Sequence, residues 1–306
     1  MKSETDQAMA TKQCGAAVVM AMLVVAITAI MVTGVFHRQS IMARTLENAM
    51  AASQVHWLMA GAVDWVRVIL REDARASTTD HLAEPWAVAL AQTRLNDDER
   101  DPAWLSGMIE DGQSRINLRN LVGAQSPVAS EVAVLARLLT IVGENGRLAD
   151  SIAEVVQLAF TPAESSTSGA WALPATIDDI EFGEQRIRLA ISKLRPYVIV
   201  LPVPTPVNAN TAPAEVLAAR FRELSLADAR RLVASRDRAA FKDVADVTSR
   251  LSDVVLIVDA GKIAVASRYF VLEGSVEFRR ARLRQTALLK REPGRVDIVW
   301  LREVRA

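Results

Sequence analysis

Cysteine is nearly missing from this 306-residue chain: Cys14 is the only one, so no disulfide can form within it. Stability must come from packing or a metal. Histidine is almost as scarce, and His37, His56 and His81 are too scattered for zinc-ligand spacing. Net charge is absent too, because 36 Lys and Arg are balanced by 36 Asp and Glu. A neutral chain has no global field to recruit nucleic acid or an anionic lipid surface. No nucleophile elbow, phosphate loop or metal-ligand cluster can be found, which leaves an enzyme reading without support. The acidic runs Asp97-Asp98-Glu99 and Asp178-Asp179 read as solvated loop rather than catalytic pairs.

The longest uncharged apolar run covers residues 16–36. At about 1.5 Å per residue its 21 residues span ~31 Å, enough for a bilayer core. A secretory signal peptide has a shorter apolar region, with its small-residue cleavage site after that region. Here Lys12-Gln13-Cys14-Gly15-Ala16 puts the glycine in front. A plain membrane anchor remains the alternative, and the flanking Lys2, Lys12, Arg38 and Arg44 do not fix an orientation. The layout resembles a type IV prepilin leader, which a peptidase on the cytoplasmic side cuts after glycine. That resemblance implies cleavage between Gly15 and Ala16.

From residue 37 to about 72 the helix continues without proline, with Leu46, Met50, Trp57, Ala60, Val63 and Ile69 at helical spacing. A helix over residues 13–72 would be ~90 Å long, its upper half packing on a globular head with Trp57 and Trp65 in the packing stripe. Residues 73–103 read as irregular. A strand over 104–110, an Asp111-Gly112 hairpin turn and a second strand over 113–118 follow. Residues 130–142 and 148–160 carry helical periodicity, 177–194 is of uncertain type, and 197–201 is a short buried extended segment. Residues 208–250 read as helical hairpins, the first capped by Asn210 or Thr211 with Pro213 in its first turn. Three alternating strands close the chain over 270–300, turning at Glu292-Pro293-Gly294. The two earlier strands would join that sheet.

Several segments together resemble the minor pseudopilin K family of type II secretion systems. They are the glycine-ended leader, Arg71-Glu72-Asp73, His81-Leu82-Ala83-Glu84-Pro85-Trp86, and the central Ile109-Glu110-Asp111-Gly112-Gln113-Ser114-Arg115-Ile116-Asn117-Leu118-Arg119-Asn120-Leu121. Thr205-Pro206-Val207-Asn208-Ala209-Asn210-Thr211-Ala212-Pro213-Ala214-Glu215-Val216-Leu217 is the most specific. The resemblance implies an α+β, type IV pilin-like fold: a long N-terminal helix on an antiparallel sheet, with a large inserted α-helical domain. It divides the chain into a leader (1–15), a transmembrane part (16–36), a periplasmic helix (37–75), a first pilin-like part (76–122), the insert (123–265, helix-hairpin-helix-like over 206–253) and C-terminal strands (266–306). It further implies a single pass in the inner membrane with the C-terminal domain periplasmic. Expected partners are the minor pseudopilins I and J in a 1:1:1 tip complex, and the prepilin peptidase, but no nucleic acid.

Most pilins carry glutamate at the fifth mature residue, thought to neutralise a neighbour's N-terminal amine; counted from Ala16 that position is Met20. An unpaired carboxylate in lipid is costly, and a tip subunit has no successor that needs one. Family members also carry acids that ligate calcium in the helical domain. The matching stretch, residues 161–170, has one acid, and Asp178, Asp179, Glu181 and Glu184 nearby read as a solvated face. Calcium is thus implied by resemblance without assignable ligands. The alternative is a minor pilin-like or membrane-anchored periplasmic domain whose helix-hairpin-helix module serves DNA uptake. Residues 206–253 oppose that reading, with eight Lys and Arg against seven Asp and Glu.

Overall fold

The computed structural model describes residues 17–161, 173–250 and 261–304, with the helical backbone alone for residues 3–16. Helix α1 (Ser3–Ala76) is continuous. Its residues 17–50 stay exposed, Met20 among them. Among the described residues it is the one helix long and apolar enough to cross a membrane, consistent with a single-pass anchor. Above that, Ala51, Val55, Met59, Val63, Val66 and Leu70 are buried. Their spacing of three or four residues puts them on one face of the helix. Trp57 and Trp65 are turned away from this face, 75% and 51% exposed, so neither belongs to the packing stripe expected of them.

That stripe lies on a five-stranded antiparallel sheet in the order β1-β2-β7-β8-β9. The strands are β1 (Leu90–Arg94), β2 (Ala103–Asp111), β7 (Tyr269–Phe278), β8 (Ala281–Glu292) and β9 (Arg295–Glu303). Val63, Val66 and Leu70 pack with Trp86, Phe270, Leu272 and Leu289, while Val55 and Met59 meet Leu105, Val276 and Leu283. Gly274 permits this approach, since a Cβ there would sit 3.1 Å from the Met59 sulfur.

Two expectations fail here. Residues 73–103 are not wholly irregular, because β1 forms the sheet edge; after Leu90 its residues are exposed, so no alternation marked it. Asp111-Gly112 is not a hairpin turn. Oδ1 of Asp111 accepts from the Gln113 N–H at 2.7 Å, starting a 3-10 turn over Gly112–Ser114 that takes the chain off the sheet. The next strand, β3 (Ile116–Asn117), pairs in parallel with β4 (Val198–Ile199) instead.

Between β2 and β7, which are direct neighbours in the sheet, the chain builds a helical layer with its own core. It holds α2 (Ala129–Ile141), α3 (Leu148–Ala159), α4 (Gln185–Leu194), α5 (Ala214–Arg220), α6 (Leu226–Arg238) and α7 (Val244–Ser249). Leu135, Leu138, Ile152, Leu194, Leu217 and Phe241 are buried together there, and Ile116, Leu118 and Leu121 join them from the turn after β2. A further parallel pair, β5 (Val207–Asn208) with β6 (Ile263–Ala264), ties the start of the helical hairpins to their end. Neither Asn210 nor Thr211 caps α5. The helix starts after Pro213, and both side chains are committed elsewhere. Ser225 and Asp243 do cap, each accepting from a backbone N–H three residues on, at the starts of α6 and α7.

Candidate functional site

All four internal segments that gave the chain its resemblance converge on one buried polar seam, where the sheet meets the helical layer. Asp111, at the end of β2, is its centre. Oδ2 accepts from Asn208 Nδ2 (2.9 Å), Thr211 Oγ1 (2.5 Å) and Ser267 Oγ (2.7 Å). Burial pushes this carboxyl up to about 6; the bonds from Thr211, Ser267 and the Gln113 N–H pull against it, and Asp80 nearby adds to it. The Asn208 amide also reaches the Asp80 carbonyl (3.1 Å), so one side chain links β2, the loop after α1 and β5.

Asp80 connects the seam to the long helix. It accepts from the Ser267 N–H (2.6 Å) and, through both oxygens, from Arg291 Nη2 (2.6 and 2.5 Å). Arg291, on β8, also donates to Asp73 at the top of α1 (2.9 Å) and to the Ser267 carbonyl (2.9 Å), its guanidinium 4.7 Å above the Phe270 ring. Glu84 completes the cluster by accepting from Trp86 Nε1 (2.8 Å) and the His81 N–H (2.9 Å). Trp86 stands edge-on to Phe270, with ring centroids 5.2 Å apart. Burial, then repulsion from Glu84 and Asp80, raises Asp73 to about 6 against the pull of Arg291.

Amide side chains bind the rest of the two long segments together. Asn117 donates to the Val203 carbonyl (2.8 Å) and accepts from the Leu201 N–H (3.1 Å), and Asn120 clasps the backbone of Thr205 in both directions (2.8 and 3.0 Å). Asn210 does the same to Phe241, at 3.0 and 2.7 Å. Each amide replaces a secondary-structure partner that the irregular backbone lacks, as burial of peptide groups demands. Hydrogen bonds hold Asp111, Asp80 and Asp73 in the seam, while Glu84 Oε1 is buried there without a partner.

Asp73, Asp80 and Glu84 lie close enough together to suggest a cation site. The cation they hold is the Arg291 guanidinium, which fills the space between Asp73 and Asp80, so calcium does not fit there. Asp178 is engaged by Arg195, and Asp179 by Arg302 at 2.8 Å. Hydrogen bonding to Arg302 is the main reason the Asp179 carboxyl falls to about 2. Asp178 and Asp179 are thus exposed and already paired with arginines. Nearly all of residues 161–170 lies outside the described residues, as do the side chains of Gly15 and Ala16.

The seam was missed as a site because its key members carry no local signal. Asp111 looks like a turn residue, Ser267 like loop, and Arg291 like one more surface cation on an alternating strand. Only the unusual density of Asn and Asp in the two long segments, beside apolar residues, marks buried amide bonding.

A family model described as "Type II secretion system (T2SS), protein K" matches residues 207–260. A Pseudomonas aeruginosa protein named Type II secretion system protein K is 29% identical over 315 residues, spanning 94% of this chain and 92% of its own. A Klebsiella pneumoniae protein of the same name is 26% identical over 321 residues, spanning 95% and 96%. Among solved structures, a chain of the GspK-GspI-GspJ complex from the enterotoxigenic Escherichia coli type 2 secretion system matches with a TM-score of 0.65 at 21% identity, over 85% of this chain and 99% of that one. The resemblance read from the two long segments therefore holds along nearly the whole chain, and the long helix, antiparallel sheet and added helices are shared with that structure.

Proposed function

We propose that this chain, similar over its length to type II secretion system protein K, is a minor pseudopilin of such a system, acting as a structural subunit rather than an enzyme. The observation that carries this reading is near full-length similarity to two proteins of that name, joined to a helix whose lower half is uncovered and apolar. A 74-residue helix with a head on its upper third suits a subunit held by the membrane before assembly and by neighbouring helices afterwards.

On this reading residues 1–15 are a leader removed between Gly15 and Ala16, and the head, residues 37–306, is periplasmic. The unit over residues 123–265 stands where a subunit stacked above would have to pass. Met20 offers no carboxylate to a neighbour's amine. Both features favour the filament tip, where the chain would cap and help initiate the pseudopilus in export of folded proteins. The solved relative's complex with GspI and GspJ supports I- and J-type pseudopilins as partners, and a 1:1:1 tip assembly belongs to the same reading. DNA uptake gains little from the fold: Arg236 is spent on backbone carbonyls and Arg250 on Asp246.

Processing tests the reading directly. N-terminal sequencing of the assembled protein is expected to begin at Ala16. Gly15→Val should leave full-length precursor in the inner membrane and abolish secretion of the system's substrates. A mature protein that still begins at Met1, or a Gly15→Val strain that secretes normally, would refute it.

A further inference from the structure

Packing imposes a chemical weakness on the turn between α2 and α3. The turn reads Gly143-Glu144-Asn145-Gly146-Arg147, and Asn145 is the only asparagine in the chain followed by glycine. Glycine is required at 146. A Cβ there would sit 3.0 Å from both the Ala136 carbonyl oxygen and the Thr140 hydroxyl oxygen of α2, too tight for a packed side chain. The same missing Cβ leaves the Gly146 nitrogen unshielded beside an amide side chain.

The local geometry favours attack by that nitrogen. Asn145 is exposed, and its Oδ1 accepts from the Arg147 N–H at 3.0 Å. Its carbonyl accepts from the Leu148 N–H at 3.0 Å, which puts the residue just ahead of α3. Neither Asn145 Nδ2 nor the Gly146 N–H has a hydrogen-bond partner among the described residues, so the leaving group and the nucleophile are both free. When Gly146 N adds to Cγ, the developing negative charge falls on Oδ1. The Arg147 N–H and the positive end of the α3 dipole already point there. Asp111-Gly112 shows the opposite case, for both residues are buried and both carboxylate oxygens of Asp111 are engaged.

We propose that Asn145 is a self-modifying site, converting to aspartate and isoaspartate through a cyclic imide formed with Gly146. The Gly146 N–Cγ bond forms and the Cγ–Nδ2 bond breaks. The Gly146 proton passes through water to Nδ2, which departs as ammonia. A second water opens the imide at either carbonyl, so water is the only co-reactant. The conversion adds a negative charge next to Glu144, which already pairs with Lys193 of α4 at 2.6 Å. The isoaspartyl product also lengthens the backbone by one methylene immediately before α3, whose Ile152, Ala153 and Val156 are buried in the helical layer. This chemistry does not depend on the chain being a pseudopilin.

The test incubates the detergent-solubilised full-length protein at pH 8.5 and pH 6.5 and maps its peptides by mass. A gain of one dalton is expected in the peptide holding Asn145 and in no peptide holding another asparagine, with isoaspartyl methyltransferase labelling the isoaspartyl form. Conversion should be roughly tenfold faster or more at the higher pH, because base removes the Gly146 proton. Asn145→Gln, whose longer side chain would have to close a larger ring, should show no gain. The proposal is overturned if the Asn145 peptide keeps its mass under conditions that convert a synthetic peptide over residues 143–149. It is equally overturned if other asparagines gain mass as fast, or if Asn145→Gln shows the same gain.

Discussion

Arg291→Met should destabilise the protein by about 3–5 kcal/mol at neutral pH, the usual cost of leaving a buried carboxylate without its partner. Among the described residues Arg291 is the only cation within hydrogen-bond reach of both Asp73 and Asp80, and methionine would keep the packing on Phe270 but not the charge. The variant should also respond to pH. In the wild type Asp73 is raised from 3.8 to about 6, so the folded state holds more protons than the unfolded chain between those values. That contribution is fully present below pH 3.8 and is lost as pH rises through 6. Without Arg291 the folded value of Asp73 climbs further, and the cost of ionising it at pH 7.5 grows. Chemical unfolding at pH 7.5 and pH 5 should therefore show a larger deficit at the higher pH. Equal deficits would mean that Arg291 acts through packing alone.

What the sequence disclosed follows from how local each signal is. The anchor is a long uncharged run, and β7, β8 and β9 alternate apolar and polar residues, so period and length suffice for both. Leu226–Arg238 is amphipathic and capped by Ser225, again a local pattern. The failures are those where tertiary contacts decide. β1 is an edge strand with almost no buried side chains, held by β2 rather than by its own pattern. Trp57 and Trp65 fall at helical spacing, yet the stripe that packs passes through Met59 and Val63. Asp111-Gly112 has hairpin chemistry, but the Asp111 side chain bonds residues 97, 100 and 156 positions away. A carboxylate whose partners are that remote looks like a turn until the chain is folded around it.

Asp111→Ala should separate the two layers of the head rather than merely lower its stability. Four donors lose their acceptor at once: the Gln113 N–H, the Asn208 amide and the Thr211 and Ser267 hydroxyls. Some find other partners, since Asn208 already reaches the Asp80 carbonyl and Thr211 the Asn208 carbonyl (3.4 Å), which keeps the expected loss near 3 kcal/mol. The sheet with α1 and the helical layer have largely separate apolar cores, bridged by Leu201 on Tyr269, Val271 and Leu288, and this seam carries much of the hydrogen bonding between them. Calorimetry should accordingly resolve the wild type's unfolding into two transitions in the variant, with faster hydrogen exchange over residues 205–217 and little change in β8 and β9. Asp111→Asn separates charge from geometry. Burial raises Asp111 from 3.8 to about 6, so its stabilising protonation is complete below pH 3.8 and lost as pH rises through 6. An amide abolishes that dependence, while its NH2 group must face donors where an oxygen accepted three bonds. The asparagine variant should therefore be weakened at every pH, with a flatter stability profile between pH 4 and 7 than the wild type. If Asp111→Ala unfolds in one transition and Asp111→Asn keeps the wild-type pH profile, Asp111 is not the joint between the two layers.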